Sequence, residues 1–200
     1  MKSSLATISG EGDKASLRVE LRARRVALPA TLRRAAAGGA ARRALRLPAL
    51  RRARHVAAYL ACGSELSTAP LLGLLFKRGI GVYVPKLRGP LLRFIRISPK
   101  TPLRRNVHGI REPVRGVCRS PKKFDLVLLP LLGFDAAGNR LGTGSGYYDR
   151  AFAFARVFRR PLVAGYGYAV QRAESLPREP WDVRLDAVIT EKGVLRWPTG

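Results

Sequence analysis

The 200-residue chain carries 38 Lys and Arg against 13 Asp and Glu, a formal net charge of +25, and 46% of it is hydrophobic. That apolar fraction excludes a disordered chain, the length suits one compact domain, and no apolar run approaches the ~20 residues needed to cross a bilayer. A field of this sign attracts polyanions: nucleic acid, nucleotides, phosphate esters and polycarboxylates all qualify, and an arginine bias from codon usage is the competing account.

Residues 1–13 lack the apolar centre of a secretory signal and keep acidic residues, which predicts a flexible tail before a single domain over 14–200. Asp13 suits an N-cap, and Leu17, Leu21 and Leu28 are spaced to share a face, so a helix is predicted from Lys14 to near Pro29. Lys14, Arg18, Arg22 and Arg25 follow one another on an adjoining face, either as a solvated stripe or as one aimed at an anionic ligand. The Arg- and Ala-rich stretch that follows, to residue 54, predicts a second helix.

Beyond residue 55, short runs rich in β-branched and aromatic residues predict strands near 56–62, 80–85, 91–97, 125–132, 162–168 and 185–190. Helices are predicted between them over 67–78 and 147–158. The unbroken apolar run 126–132 suits a sheet covered on both faces, as in α/β folds, while Arg93 and Arg96 put strand 91–97 toward an edge. Stretches 98–124 and 172–184 read as loops, the first long enough to suggest function or mobility. Cys62 and Cys118 show neither CxxC spacing nor nearby histidines, and read as free thiols of a reducing cytoplasm. His55 and His108 are assigned no chemistry.

The segment 134–150, FDAAGNRLGTGSGYYDR, runs from a strand through a turn into alternating glycines at 142, 144 and 146 and then a helix. Glycines at this spacing let backbone N–H groups approach an oxyanion, and a helix N-terminus adds partial positive charge. Arg140 supplies a bidentate cation and Asp149 a hard oxygen of the kind Mg²⁺ prefers. Neither the GxxxxGK[ST] nor the GxGxxG spacing is present. A purely structural strand-to-helix crossing, with Tyr147 and Tyr148 packed into the core, is the other account of these glycines.

The string GNRLGTGSGYYDR resembles the signature of the 5-formyltetrahydrofolate cyclo-ligase family, also called 5,10-methenyltetrahydrofolate synthetases. Four further blocks agree with that family in order: Lys14-Ala-Ser-Leu-Arg18, Leu60-Ala-Cys-Gly-Ser-Glu65-Leu-Ser-Thr68, Gly109-Ile-Arg-Glu-Pro113, and a closing block. The last comprises Gly165-Tyr-Gly-Tyr168, Gln171, Leu176-Pro177, Trp181-Asp182 and Asp186-Ala-Val-Ile-Thr190. The resemblance implies a three-layer, Rossmann-like α/β fold with a mixed, mostly parallel central sheet, of the kind shared with sugar-phosphate isomerases and CoA transferases.

It also implies ATP- and Mg²⁺-dependent cyclisation of 5-formyltetrahydrofolate to 5,10-methenyltetrahydrofolate, with release of ADP and phosphate. ATP contacts are implied at Lys14, Ala15, Ser16, Leu17 and Arg18 and at Arg140, Leu141, Gly142, Thr143, Gly144, Ser145, Gly146, Tyr147 and Tyr148. Folate contacts are implied at Leu60, Glu65, Thr143, Gly144, Ser145, Gly146 and Tyr147, Mg²⁺ at Asp149 and Asp182, and catalytic roles at Arg140 and Tyr148. Taken alone, Glu65 reads sooner as an exposed helix-start acid stabilised by the helix dipole. Thr143 and Ser145 keep the loop's own cationic contribution small, and Trp181 stands where many family members carry His before the second acid. The implied partners are ATP and the folate, with or without a polyglutamate tail, acting on a cytoplasmic monomer or weak homo-oligomer without membrane or specific nucleic acid. A nucleic-acid reading rests on charge and on the arginine runs between 33 and 54, since zinc-finger spacing, an RNP motif and a KH GXXG loop are all missing.

Overall fold

A computed structural model of the chain describes residues 13–158 and 160–197. In chain order it contains helices α1 (Lys14–Val26), α2 (Ala30–Ala44) and α3 (Pro48–Arg52), strand β1 (His55–Ala57), helix α4 (Ala69–Lys77), and strands β2 (Gly81–Arg88) and β3 (Leu91–Ile97). There follow the β4 (Leu103–Arg105) and β5 (Arg111–Pro113) hairpin, β6 (Cys118–Arg119), β7 (Leu126–Leu129), the pair β8 (Gly133–Phe134) and β9 (Arg140–Leu141), and helix α5 (Tyr147–Ala151). Strands β10 (Leu162–Tyr166), β11 (Ala187–Ile189) and β12 (Val194–Arg196) complete the described elements.

Eight strands form one sheet in the order β12-β11-β10-β7-β1-β2-β3-β6. From β11 through β10, β7 and β1 to β2 every pairing is parallel, and β12, β3 and β6 pair antiparallel at the two sides. This is the mixed, mostly parallel α/β sheet that the family resemblance implies. Strand β7 shows why its sequence is continuously apolar: Leu126 and Leu128 enter one core cluster while Val127 and Leu129 enter another, so both faces are buried. Successive side chains of a strand point to opposite faces, and here each face meets a separate layer.

On one face the alanines of α2 explain a composition that looks like mere bias. Ala36, Ala40 and Ala44 recur at helical spacing and are all buried, and α2 packs on α4 through Leu71, Leu72 and Leu75 of that helix. Small side chains let the layers approach, while Arg34 and Arg42 of the same helix stay exposed. The opposite face is covered by an aromatic group, in which Phe94 lies 5.4 Å from Phe124 and 5.4 Å from Phe152, ring centre to ring centre.

Three local expectations change, and a fourth falls outside the described residues. The N-terminal tail lies, apart from Asp13, outside the described residues, and Asp13 occupies the N-cap position of α1 without a side-chain capping hydrogen bond. The second helix splits at residues 45–47, ahead of Pro48, because a residue preceding proline is pushed out of helical conformation. The helix predicted over 147–158 ends at Ala151 and continues only as a 3₁₀ turn over Ala153–Arg156, around the fully buried Phe152. The stretch 98–124 is not featureless: its hairpin is held to the sheet by the buried Glu112, whose Oε1 accepts the N–H of Leu87 at 2.9 Å and the side-chain amide of Asn106 at 2.7 Å.

Gly165 of β10 lies where three core side chains converge: a Cβ there would sit 2.5 Å from Leu131 Cδ2, 2.9 Å from Leu185 Cδ1 and 3.1 Å from Val188 Cγ2. Gly165→Ala therefore overpacks the sheet, with an expected loss of about 1–3 kcal/mol of unfolding free energy in chemical denaturation.

Candidate active site

The chain passes from β1 to β2 on one side and later returns to β7 on the other, so the sheet order reverses beside β1. In open α/β sheets ligands bind at such a point, outside the carboxyl ends of the strands. A cavity of about 1270 Å³ opens there, floored by Tyr59, Leu60 and Cys62 after β1, Pro85 and Leu87 in β2, and Pro130 and Leu131 after β7. Helix α1 forms one wall because Leu17 and Leu21 are buried against Leu132, Leu141 and Leu176, which turns the Lys14, Arg18, Arg22 and Arg25 side of the helix toward the cavity. The stripe is therefore directed inward.

The glycine segment forms the facing wall, from Arg140 through Arg150. Gly144 and Gly146 have φ of +105° and +65°, conformations that a side chain disfavours, and a Cβ on Gly146 would meet Arg150 Nη1 at 2.9 Å. The backbone N–H groups of residues 143–146 donate to no other group among the described residues. Arg18 Nε reaches across to the Gly142 carbonyl at 3.1 Å, and Arg150 lies over the Tyr147 ring, 5.1 Å from its centre. Because α5 is only five residues long, little of the pull on an anion comes from a helix dipole. Unengaged amides and arginines take that part.

Arg140 is buried and donates from Nη2 to Asp149 Oδ1 at 2.6 Å and from Nη1 to the Pro130 carbonyl at 3.4 Å, leaving Nε without a partner among the described residues. Asp149 Oδ1 also accepts the N–H of Val183 at 3.2 Å, which ties α5 to the segment that carries Asp182. Lys14 Nζ donates to Asp182 Oδ2 at 2.9 Å, and the N–H of Glu179 donates to the same oxygen at 2.8 Å. Asp149 Oδ2 and Asp182 Oδ1 accept no hydrogen bond among the described residues. Those residues include no group of three or more His, Cys, Asp or Glu side chains able to hold a metal unaided. Two carboxylates lining one cavity, each with an uncommitted oxygen, nevertheless suit Mg²⁺, which takes one or two carboxylates and completes its shell with phosphate and water.

At the floor, Glu65 Oε2 accepts the Cys62 N–H at 2.9 Å. Burial raises the pKa of its carboxyl, against the Cys62 hydrogen bond and the nearby Arg25 charge. Arg25 is itself buried, donating from Nε to Ser64 Oγ at 3.0 Å and from Nη1 to the Leu131 carbonyl at 3.5 Å, so it joins the turns after β1 and β7. Burial, and next the charge of Glu65, push the Tyr148 phenol well up, with Arg140 opposing, so the phenol is a neutral donor at physiological pH.

Of the expected site residues, the fold brings Lys14, Arg18, Leu60, Glu65, residues 140–149 and Asp182 to one cavity. Ala15 and Ser16 are exposed and Leu17 is packed in the core; none of the three lines it, because adjacent helical residues point to different faces. Residues given no firm role from sequence also line it, including Arg22, Arg25, His108, Arg111, Glu179 and Arg150. The spacing of the α1 stripe could have flagged the first two; nothing local marks Glu179 or His108.

A cationic, glycine-walled cavity at the carboxyl ends of a parallel sheet is the arrangement of α/β enzymes that handle phosphorylated ligands. The comparisons narrow that class. The model of the 5-formyltetrahydrofolate cyclo-ligase family matches residues 11–191, and the chain belongs to this family. It is 36% identical over 184 residues to the 5-formyltetrahydrofolate cyclo-ligase of Escherichia coli strain K12, an alignment spanning 88% of this chain and 100% of the relative. It is 35% identical over 174 residues to that of Haemophilus influenzae, spanning 84% of this chain and 92% of the relative. The solved 5,10-methenyltetrahydrofolate synthetase of Aquifex aeolicus superposes with a TM-score of 0.81 at 33% identity, covering 94% of each chain.

Because burial raises the folded-state pKa of Glu65, its protonation stabilises the folded chain below the ordinary carboxylate range, and that contribution is lost as pH rises through the folded value. Glu65→Gln is therefore expected to be more stable than wild type at pH 7, with the difference vanishing near pH 4. Denaturant midpoints measured at both pH values check this.

Proposed function

We propose that this chain binds ATP and 5-formyltetrahydrofolate side by side in the cavity and closes the folate to 5,10-methenyltetrahydrofolate, releasing ADP and phosphate. The observation that carries the reading is the meeting, in one cavity, of Lys14, Arg18, Arg140, the unengaged amides of 143–146 and the carboxylates of Asp149 and Asp182. Family membership supports the choice of reaction. A volume of about 1270 Å³ exceeds the range usual for one drug-sized ligand and suits two co-substrates.

In this reading the N5-formyl oxygen attacks the γ-phosphorus and the bond to the ADP oxygen breaks. The N10 lone pair then adds to the activated formyl carbon; phosphate leaves with the former formyl oxygen, and N10 loses its proton. Such transfers depend on positioning and on neutralising charge more than on a strong base. Lys14, Arg18 and the glycine amides hold the phosphate chain, and Arg140, fixed in a buried and preorganised position, stabilises the charge that develops during transfer. Tyr148, kept protonated, donates a hydrogen bond and does not serve as a base. Glu65 on the floor accepts the amino and N–H groups of the pterin edge beside Leu60. Asp149 and Asp182 would hold Mg²⁺, whose charge screens the phosphate oxygens when bound.

The two free cysteines suit a reducing compartment such as the cytoplasm, and a monomer or weak homo-oligomer completes the proposal.

The purified protein should form 5,10-methenyltetrahydrofolate, followed by its ultraviolet absorbance, only when 5-formyltetrahydrofolate, ATP and Mg²⁺ are all present. No product under those conditions overturns the proposal. Asp149→Asn keeps an oxygen for the Val183 N–H but leaves the buried Arg140 charge unanswered, so it should lower the unfolding midpoint, and its turnover, measured where the variant is still folded, should fall by about 10²-fold or more. Undiminished turnover in that variant removes Asp149 from the metal site.

A further inference from the structure

Two of the cavity's cations, Lys14 and Arg140, are paired with its own acids. Lys14 Nζ lies 2.9 Å from Asp182 Oδ2 and 3.6 Å from Glu179 Oε1, and Arg140 Nη2 lies 2.6 Å from Asp149 Oδ1. The two cations best placed for phosphate and the two carboxylates best placed for a metal are thus each other's partners. Arg18 differs, since the bond it makes into the loop goes to the neutral Gly142 carbonyl. Glu179 belongs to this arrangement twice over: its carboxylate is the second acid on Lys14, and its N–H fixes Asp182 Oδ2 at 2.8 Å.

A polyphosphate entering alone has to compete with Asp182 and Glu179 for Lys14 and with Asp149 for Arg140. A divalent cation entering alone has to take the uncommitted oxygens, Asp149 Oδ2 and Asp182 Oδ1, while Arg140 and Lys14 still hold the other oxygen of each carboxylate, so like charges are crowded together. When both enter, each ligand satisfies the groups that the other strips of a partner. The pairs are partly or largely desolvated, with side-chain exposures of 20% and 21% for Lys14 and Asp182 and of 5% and 18% for Arg140 and Asp149, so leaving any member unpaired is costly.

We infer that ligand entry is an exchange of ionic partners, in which Glu179 and Asp182 withhold Lys14 from the phosphate chain until a divalent cation takes the carboxylates. Glu179 acts here as a positioning residue through Lys14. The inference rests on the reading of this cavity as the nucleotide site.

The exchange makes an unusual demand on metal-free binding. Removing a carboxylate should strengthen the hold on an anion, because Lys14 is released; if the acids only shape the loop, their removal weakens binding or leaves it unchanged. Calorimetric titration of inorganic tripolyphosphate into the full chain, in EDTA and in Mg²⁺, separates the two. Wild type should bind more tightly with Mg²⁺, although the metal lowers the ligand's own negative charge. In EDTA, Glu179→Gln and Asp182→Asn should each bind about five- to tenfold more tightly than wild type, as expected for one negative charge removed ~6 Å from the phosphate at an effective dielectric constant of about 40–60. Asp182→Asn should lose the Mg²⁺ enhancement and Glu179→Gln should keep it.

Metal-free binding that is unchanged or weaker in both variants, with unfolding midpoints like those of wild type, overturns the exchange. Should Asp182→Asn fail to fold, Glu179→Gln carries the test, its side chain being 43% exposed. Wild type that binds tripolyphosphate neither with nor without Mg²⁺ defeats the nucleotide-site reading instead. Wild type that binds and turns over, beside variants that show no tightening, defeats the exchange alone.

Discussion

The buried guanidinium of Arg140 is answered by a carboxylate, and much of the cavity's architecture follows from that pairing. Its partner, Asp149, lies beyond the glycines on α5, and the same carboxylate oxygen receives the Val183 N–H. One ion pair thereby fixes the start of the glycine segment, its end, and the closing segment that carries Asp182. Removing water from such a pair is costly, and the cost is offset only when geometry and further hydrogen bonds are good. The carbonyl of Pro130 and the amide of Val183 supply those bonds. The glycines between can then adopt positive φ and leave amides unengaged, because the ends of the segment are held.

Helix α1 is the second determinant, and it works through division of labour between its faces. Leu17 and Leu21 enter a small cluster with Leu132, Leu141, Ala173 and Leu176, apart from the two larger clusters on either side of the sheet. This packing sets the rotation of the helix, and the rotation decides that four basic residues reach the cavity. A Cβ on Gly133 would fall 2.5 Å from Leu21 Cδ1, so the approach of α1 to the strand ends is close. Arg25, joining the turns after β1 and β7, extends the same contact to the floor of the cavity.

The high net charge has no single cause. Part of it lines the cavity, where it is met by Asp149, Asp182 and Glu179. Another part lies on α2 and α3, where Arg34, Arg42, Arg51 and Arg52 are exposed beyond the core face that the alanines make. Those arginines extend long-range attraction for anions without belonging to the site.

Strand and helix positions were legible from periodicity because burial on two faces leaves continuous apolar runs, as in Leu126–Leu129, and burial on one helical face leaves leucines at spacing, as in α1. Arg140, the glycines and Asp149 were legible because the elements of such a glycine segment are local: they must be near neighbours in the chain to share one turn. What stayed hidden is what distance in sequence conceals. Residues 98–124 read as loop because their hairpin is short and polar, and its anchor to the sheet, from the Leu87 N–H to Glu112, reaches outside the stretch. His108 and Glu179 carried no local signal, since only the fold brings them to the cavity that Lys14 and the glycines line. Sequence by itself determined the sheet's character, the composition of the glycine segment and the family to which the chain belongs. Tertiary structure alone decided that the α1 stripe faces inward and that acids 165 or more residues away meet Lys14. The reason is physical: a carboxylate's partner is chosen by where folding leaves it, and residue spacing along the chain does not encode that distance.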